Sequence, residues 1–391
     1  MRLYGGVRRF PGVLSVRGAA DTSGVHKLVS VVICVSFIVP VAAAGPSAPS
    51  PLLQNASRRS GLAVRGPVET ATVSATRYAA LLARAARIDY PPALREDDAR
   101  LEAALGLTSR SANGLRGRAW YDVADHRLLL QRAPAPGRRA VINELVRALV
   151  DQNYGLRRLV RLRARDHDRW LAARAIVDGT AALASGLRSR PLAGTPLDRF
   201  SQLEADAGVG PGRALAAELR YLGGPEAVRS ALRTFPQTTE QLLHIDKFLE
   251  RERALPVRLP QRAGAASLVV SETFGELDVR NLLEAFGVPA ATSAAAGWGG
   301  GRLALYRSGS GDVAAIVLRW DSFDDALEWQ AAVPGYIAAA FPGTTAHDCP
   351  PLDRCWSGSG EAAAGVLGTT SVLATGPGST GVAAELLTAA N

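Results

Sequence analysis

Lysine is nearly missing from this 391-residue chain: it stands only at positions 27 and 247, and every other cation is arginine. Those arginines are spread along the sequence among Asp and Glu. The formal charge of +9 therefore does not gather into the basic, aromatic-bearing patch that nucleic-acid binding needs, and no nucleic-acid partner is expected. Cysteine is scarce, with three residues in all. Cys349 and Cys355 could form a metal site only with further ligands, and His347 alone does not supply them. Also missing are a Gly-x-Ser-x-Gly nucleophile elbow and a phosphate-binding loop. The glycine-rich "GWGGG" at 297–301 lacks both the P-loop lysine and dinucleotide-type spacing, and reads as a loop entering a strand.

A single long apolar run is present, Leu28–Ala44, following a basic leader and ending in small residues before a Pro/Ser-rich stretch. Basic, apolar and small-residue segments in that order define a secretory signal, here residues 1–44 with the cut after "AAA". The alternative is a retained membrane anchor, but 17 residues with Pro40 inside fall short of the roughly 20 a span requires. The expectation is an exported protein of the extracytoplasmic space or cell envelope, touching membrane only through an uncleaved leader. Without the leader the chain keeps 40 cations and 35 acids. Its remaining thiols, Cys349 and Cys355 in "CPPLDRC", then read as a local disulfide worth about 2 to 3 kcal/mol.

At 47% hydrophobic and 21% charged residues the chain is globular and long enough for two domains. Residues 45–68 are rich in Pro, Ser, Gly and Arg without apolar period and read as a flexible linker. From Thr70 to about Leu105 the spacing is helical, interrupted by "YPP", and "RAWYDVADHRLLLQR" holds two strand-like runs around an Asp-His turn. Helical patterns dominate to about residue 262. Beyond it, strand-like "ASLVVSE", "GRLALYRSG", "DVAAIVLRW" and "SVLATG" alternate with helical "FGELDVRNLLEAFG", "DDALEWQAAV" and "GVAAELLTAA". The fold class expected is α+β: a helical domain over 69–262 followed by a smaller α/β domain over 263–391.

Within the helical part, "VINELVRALVDQNY" places apolar residues on two sides of a helix spanning about Arg138 to Asn153 and leaves a stripe of Asn143, Arg147 and Asp151 beside Glu144. A polar stripe on a mostly buried helix must meet a cleft or charged partners. "NELVRALVDQ" resembles the His-Glu-Leu-x-His-Ala-Leu-x-Asp-Gln helix of bacterial secreted or lipoprotein zinc peptidases. "AARAIVDGTAAL" is similar to that family's Ala-Leu-Val-Glu-Gly-x-Ala helix, with Asp178 in place of Glu. "PQTTEQLLHIDKFL" resembles its Pro-x-Ser-Thr-Glu-Gln-x-x-His-Pro segment, keeping His244. "GWGGGRLALYR" with "LRWDSFDDALEW" resembles its Gly-Trp-Gly-Gly-Asp and Trp-Asp-Thr segments. The resemblance as a whole covers about residues 115–390.

The resemblance implies a zincin-like helical domain in which Asn143, Arg147 and Asp178 occupy the metal positions and Glu144 that of the general base. The departures imply loss of zinc. An amide oxygen is a poor ligand, a guanidinium has no lone pair to donate, and one carboxylate does not hold the ion. The expected protein is a catalytically inactive homologue without cofactor, keeping a cleft for a peptide or envelope partner. Two alternatives stand beside it: an active metallohydrolase using Glu144, His167, Asp178 and His244, and a purely structural envelope module. If the site lost its metal, Arg147 is expected to supply the missing positive charge through a hydrogen-bonded ion pair with Asp178, with Glu144 nearby, Asn143 at the edge and Asp151 accessory.

Overall fold

A computed structural model describes residues 50–390 apart from 90–91, 109–116 and 164. The leader expected over residues 1–44 lies outside the described residues. The chain is α+β, as expected.

Its first half runs α1 (Pro51–Ser60), β1 (Glu69–Val73), α2 (Ala75–Asp89), α3 (Pro92–Ala104), β2 (Ala119–Asp122), β3 (Arg127–Gln131), α4 (Arg138–Tyr154), α5 (Arg157–Arg163), α6 (His167–Ser185) and α7 (Pro196–Asp206). A π-turn over Gly208–Gly212 leads into α8 (Arg213–Arg233), followed by α9 (Thr239–Leu243) and α10 (Ile245–Glu250). The second half runs β4 (Arg262–Ala263), β5 (Ala266–Thr273), α11 (Glu276–Ala285), α12 (Ala291–Ala295), β6 (Trp298–Ser308), β7 (Gly311–Trp320) and α13 (Phe323–Ala340). It closes with β8 (Thr344–Cys349), β9 (Leu352–Gly358), β10 (Ala362–Leu367), β11 (Thr370–Thr375) and α14 (Ser379–Ala389).

In the first half, α4, α6 and α8 pack around one apolar core that includes Val146, Leu149, Leu171, Ile176, Leu215 and Leu219. The expected hairpin is present, with β2 antiparallel to β3 and His126 at its turn in the left-handed conformation (φ 53°). Two expectations are corrected. The stretch 45–68 is not a flexible linker throughout: Ser50 caps α1, Pro51 sits where its missing N–H is harmless, and Leu53 and Ala56 enter the core. After it, Asn153 and Gln152 of α4 donate to the carbonyls of Ala63 and Gly66. The helical reading from Thr70 also fails at its start, where Glu69–Val73 forms a strand parallel to β3. Alternating "ETATV" is strand-like on its own, and pairing decides it.

In the second half, strands lie in the order β4-β5-β6-β7-β11-β10-β9-β8, and every pair is antiparallel. The α/β expectation therefore holds for the alternation of strands and helices but not for the parallel ladder such alternation usually brings. Side-chain direction alternates along each strand. Leu303 and Leu305 of β6 and Ile316 and Leu318 of β7 meet α11 to α13 on one face. Ala304, Tyr306, Ala315 and Val317 meet α14 on the other. Strands β8 to β10 were not expected, because β8 and β9 are largely exposed and polar while "AAAGVL" carries no strand signature. The disulfide is present in this region: Cys349 and Cys355 are bonded across the β8–β9 hairpin, with Cα atoms 5.8 Å apart.

The sheet begins at Arg262, where the sequence texture changes, yet the two halves share core. Leu101, Leu105 and Leu107 around the end of α3, and Leu197 of α7, pack in the same cluster as the sheet's helix-covered face. Tyr336 donates to the carbonyl of Leu105, and Thr375 to that of Ala104.

Candidate functional site

Asn143 and Arg147 of the α4 stripe face α6, and close backbone contact positions the latter. Gly208 and Gly212 of the π-turn lie so near α6 that a Cβ on Gly208 would stand 2.2 Å from the Cβ of Asp178, and one on Gly212 would stand 2.0 Å from the carbonyl oxygen of Ala175. Gly179 has the same constraint from the other side, 2.1 Å from the carbonyl carbon of Gly212. This packing presses the π-turn onto the turn of α6 that carries Asp178.

Arg147 lies between two carboxylates. Its Nε is 3.4 Å from Asp178 Oδ1 and its Nη1 is 3.8 Å from Glu144 Oε2. Asp178 also receives Arg174 Nε at 3.7 Å. The contact is ionic rather than the hydrogen-bonded pair expected, since Arg147 Nε and Asp178 Oδ1 make no hydrogen bond among the described residues. Asp178 foremost, then Glu144, holds the guanidinium above its ordinary pKa despite burial. Glu144 is buried and accepts the backbone N–H of Tyr121 at 2.9 Å. Burial raises its pKa above the usual carboxylate range, against the opposing charge of Arg147. Asn143 donates to Glu144 Oε1 at 3.2 Å and accepts from Ser185 at 3.3 Å, so it lies toward the end of α6 rather than beside Asp178.

The remaining candidates go elsewhere. Asp151 is a structural acceptor: it takes the hydroxyl of Tyr121 (2.8 Å) and the backbone N–H of Leu156 (2.6 Å), and lies 2.7 Å from His126 Nδ1. His244 Nε2 is 2.8 Å from Glu276 Oε1, a bond that raises its pKa. His167 Nε2 is 3.6 Å from Asp278 Oδ1; burial would lower its pKa, but the charge of Asp278 beside it raises it to about 10. Both imidazoles thus turn to carboxylates of α11. Glu144, His167, Asp178 and His244 do not form a cluster of mutually close ligand atoms, so the alternative ligand set is corrected.

One close acidic group does exist among the described residues, Glu240, Glu252 and Asp321. Its centre is taken by Lys247, whose Nζ lies 3.1, 2.6 and 2.7 Å from the three acids in turn. The ammonium does there what a cation would do. The Asn143, Arg147 and Asp178 set does not fit zinc either, because its central member is a permanent cation.

Sequence reasoning missed a cavity of about 510 Å³ that opens beside Arg147. Its wall collects arginines from α2, α4, α5 and α6 with Trp120 and Trp170. The signal was the run "RRLVRLRARDHDRW", which shows charge but not that its arginines share a wall with residues thirty or more positions away.

A family model described as "Domain of unknown function (DUF8575)" matches residues 264–384, the sheet half of the chain. No curated protein and no solved structure matches. Among the described residues no helix is long and apolar enough to cross a membrane.

Proposed function

We propose that this chain is an exported, catalytically inactive homologue of bacterial zinc peptidases that keeps a cleft for binding a peptide or an envelope partner. The observation that carries this reading is Arg147 standing between Glu144 and Asp178. A buried Glu144 and a four-fifths-covered Asp178 facing each other across two helices need a cation, and the guanidinium supplies it where a peptidase would use metal. The disulfide fits an oxidising compartment outside the cytoplasm. A metal-bound water is what makes the equivalent glutamate a base in a working peptidase. Here Glu144 spends its oxygens on Tyr121, Asn143 and Arg147.

Elemental analysis and a zinc titration test the reading. The parent chain is expected to bind no zinc at micromolar concentrations, and the triple variant Asn143→His, Arg147→His, Asp178→Glu to bind one equivalent. Stoichiometric zinc in the parent would overturn the inactive assignment, and a triple variant that folds but leaves zinc free would overturn the shared ancestry of the site.

A further inference from the structure

The cavity beside Arg147 has a chemistry of its own. Six arginines line it, Arg84, Arg147, Arg157, Arg161, Arg163 and Arg174, against two acids, Asp122 and Asp125. Both acids are engaged: Asp122 accepts the backbone N–H groups of Ala124 and Asp125 at 3.0 and 3.4 Å, and Asp125 pairs with Arg127 at 2.9 Å. The potential inside is therefore positive, and low-dielectric walls concentrate it.

Arg147, Arg163 and Arg174 are held in place before any ligand arrives. Asp178 meets the Nε edges of Arg147 and Arg174, and Arg174 also donates to the carbonyl of Glu204 at 2.7 Å. The guanidinium carbons of Arg163 and Arg174 stand 4.3 and 4.8 Å from the centre of the Trp170 ring. Arg147, part-exposed to the cavity, donates no hydrogen bond among the described residues. A planar fork fixed along one edge with donors to spare suits an oxyanion. The rest of the wall is apolar, from Leu81, Trp120, Leu156 and Val160. A volume of about 510 Å³ lies in the range of small-molecule sites, roughly 300 to 1,000 Å³.

We propose that this cavity binds a small amphiphilic carboxylate, its head among the arginines and its aromatic or branched body against Trp120, Trp170 and Val160. A singly charged head is favoured at Arg147, whose own charge Glu144 and Asp178 already offset from behind. This names the ligand class for the cleft in the reading above, and rests on that reading only in the claim that the cleft is kept for binding.

The test is calorimetric titration of the full chain with 2-naphthoate, its neutral isostere 2-naphthamide, and 2-naphthyl phosphate. One naphthoate is expected per chain, with the amide and the dianion each weaker by at least about tenfold, the scale of losing a charge-assisted hydrogen bond. Arg147→Gln is expected to abolish binding but also loosens the fold. Arg161→Glu reverses an exposed wall charge outside the Asp178 network and is expected to weaken naphthoate by at least about tenfold with an unchanged melting temperature. N-acetyl-Leu-Phe with a free or amidated C-terminus then separates a peptide end from a free acid as the source of the carboxylate, and selective binding of the free-ended form supports the proposal. No binding of naphthoate, equal binding of the amide, tighter binding of the phosphate, or an Arg161→Glu variant of parental affinity would each overturn it. So would preference for a short oligonucleotide with the same Arg161 dependence. The zinc results above are independent of all these outcomes, so failure here and failure of the peptidase ancestry are told apart.

Discussion

Arg147 is the residue on which the candidate site depends, and its environment sets the size of the effect. Removing its charge leaves Glu144 buried and Asp178 four-fifths covered, with Arg174 as the nearest cation to Asp178. Arg147→Ala is expected to destabilise the fold by about 3 kcal/mol, the scale for breaking a buried pair. A solvated stripe would give under about 0.5 kcal/mol, and urea denaturation decides between them. A second residue carries a pH dependence. Asp168 is buried against Asp278, and burial foremost, then that neighbouring charge, raises its pKa to about 8, while the Thr239 N–H at 3.0 Å works the other way. A carboxyl whose folded pKa exceeds its unfolded one binds its proton more tightly in the fold. Its stabilising contribution is complete below about pH 4 and is lost as the pH rises through 8. Asp168→Asn keeps an oxygen for Thr239 and carries no charge, so the variant's urea midpoint should gain on the parent's as the pH rises from about 4 to 8. Parallel profiles for the two proteins would show that Asp168 does not titrate in this window.

At the scale of elements, the seat of the site is the pairing of α6 with the π-turn. Gly212→Ala would drive a methyl into the backbone carbonyl of Ala175, which has no flexible end to move aside. A loss of about 3 kcal/mol is expected, the upper part of the overpacking range. Gly210 lies in the same turn with open space around it, so Gly210→Ala should change stability by under about 0.5 kcal/mol. Equal losses at the two positions would mean that the turn's conformation, not its approach to α6, sets the requirement. Helices α4 and α6 were legible in the sequence because long amphipathic or apolar runs at helical spacing have few other solutions. The π-turn was not, since the helical spacing read across this stretch does not show where Gly-Val-Gly-Pro-Gly widens the helix against a neighbour.

For the whole molecule, the question is what joins the helical half to the sheet. Lys247, on α10, draws together Glu240 of α9, Glu252 after α10, and Asp321 after β7. Glu240 is 1% exposed, so Lys247→Met leaves a buried acid without its cation. The expected loss is about 3 kcal/mol, read by thermal unfolding, and an unchanged midpoint would reduce the cluster to a surface ion pair of little weight. Asp321 and Glu252 are part-exposed, so the contribution should weaken in salt but not vanish. The scarcity of lysine, visible at once in the composition, becomes meaningful only here, where the single lysine of the described chain holds two halves together.

What the sequence by itself determined is local and periodic: the α+β class, the β2–β3 hairpin, the buried helices, the change of texture near residue 262, and the pairing of two lone thiols. Each follows from apolar spacing or from turn chemistry, which act over a few residues. The tertiary structure alone decided which strands are neighbours, that every pair in the large sheet is antiparallel, and that residues 51–60 form a docked helix. It also turned His167 and His244 to acids of α11 and gathered arginines from four helices around one cavity. These are long-range choices. A charge or an imidazole takes the nearest partner that packing supplies, and packing joins segments that carry no mark of one another in the chain.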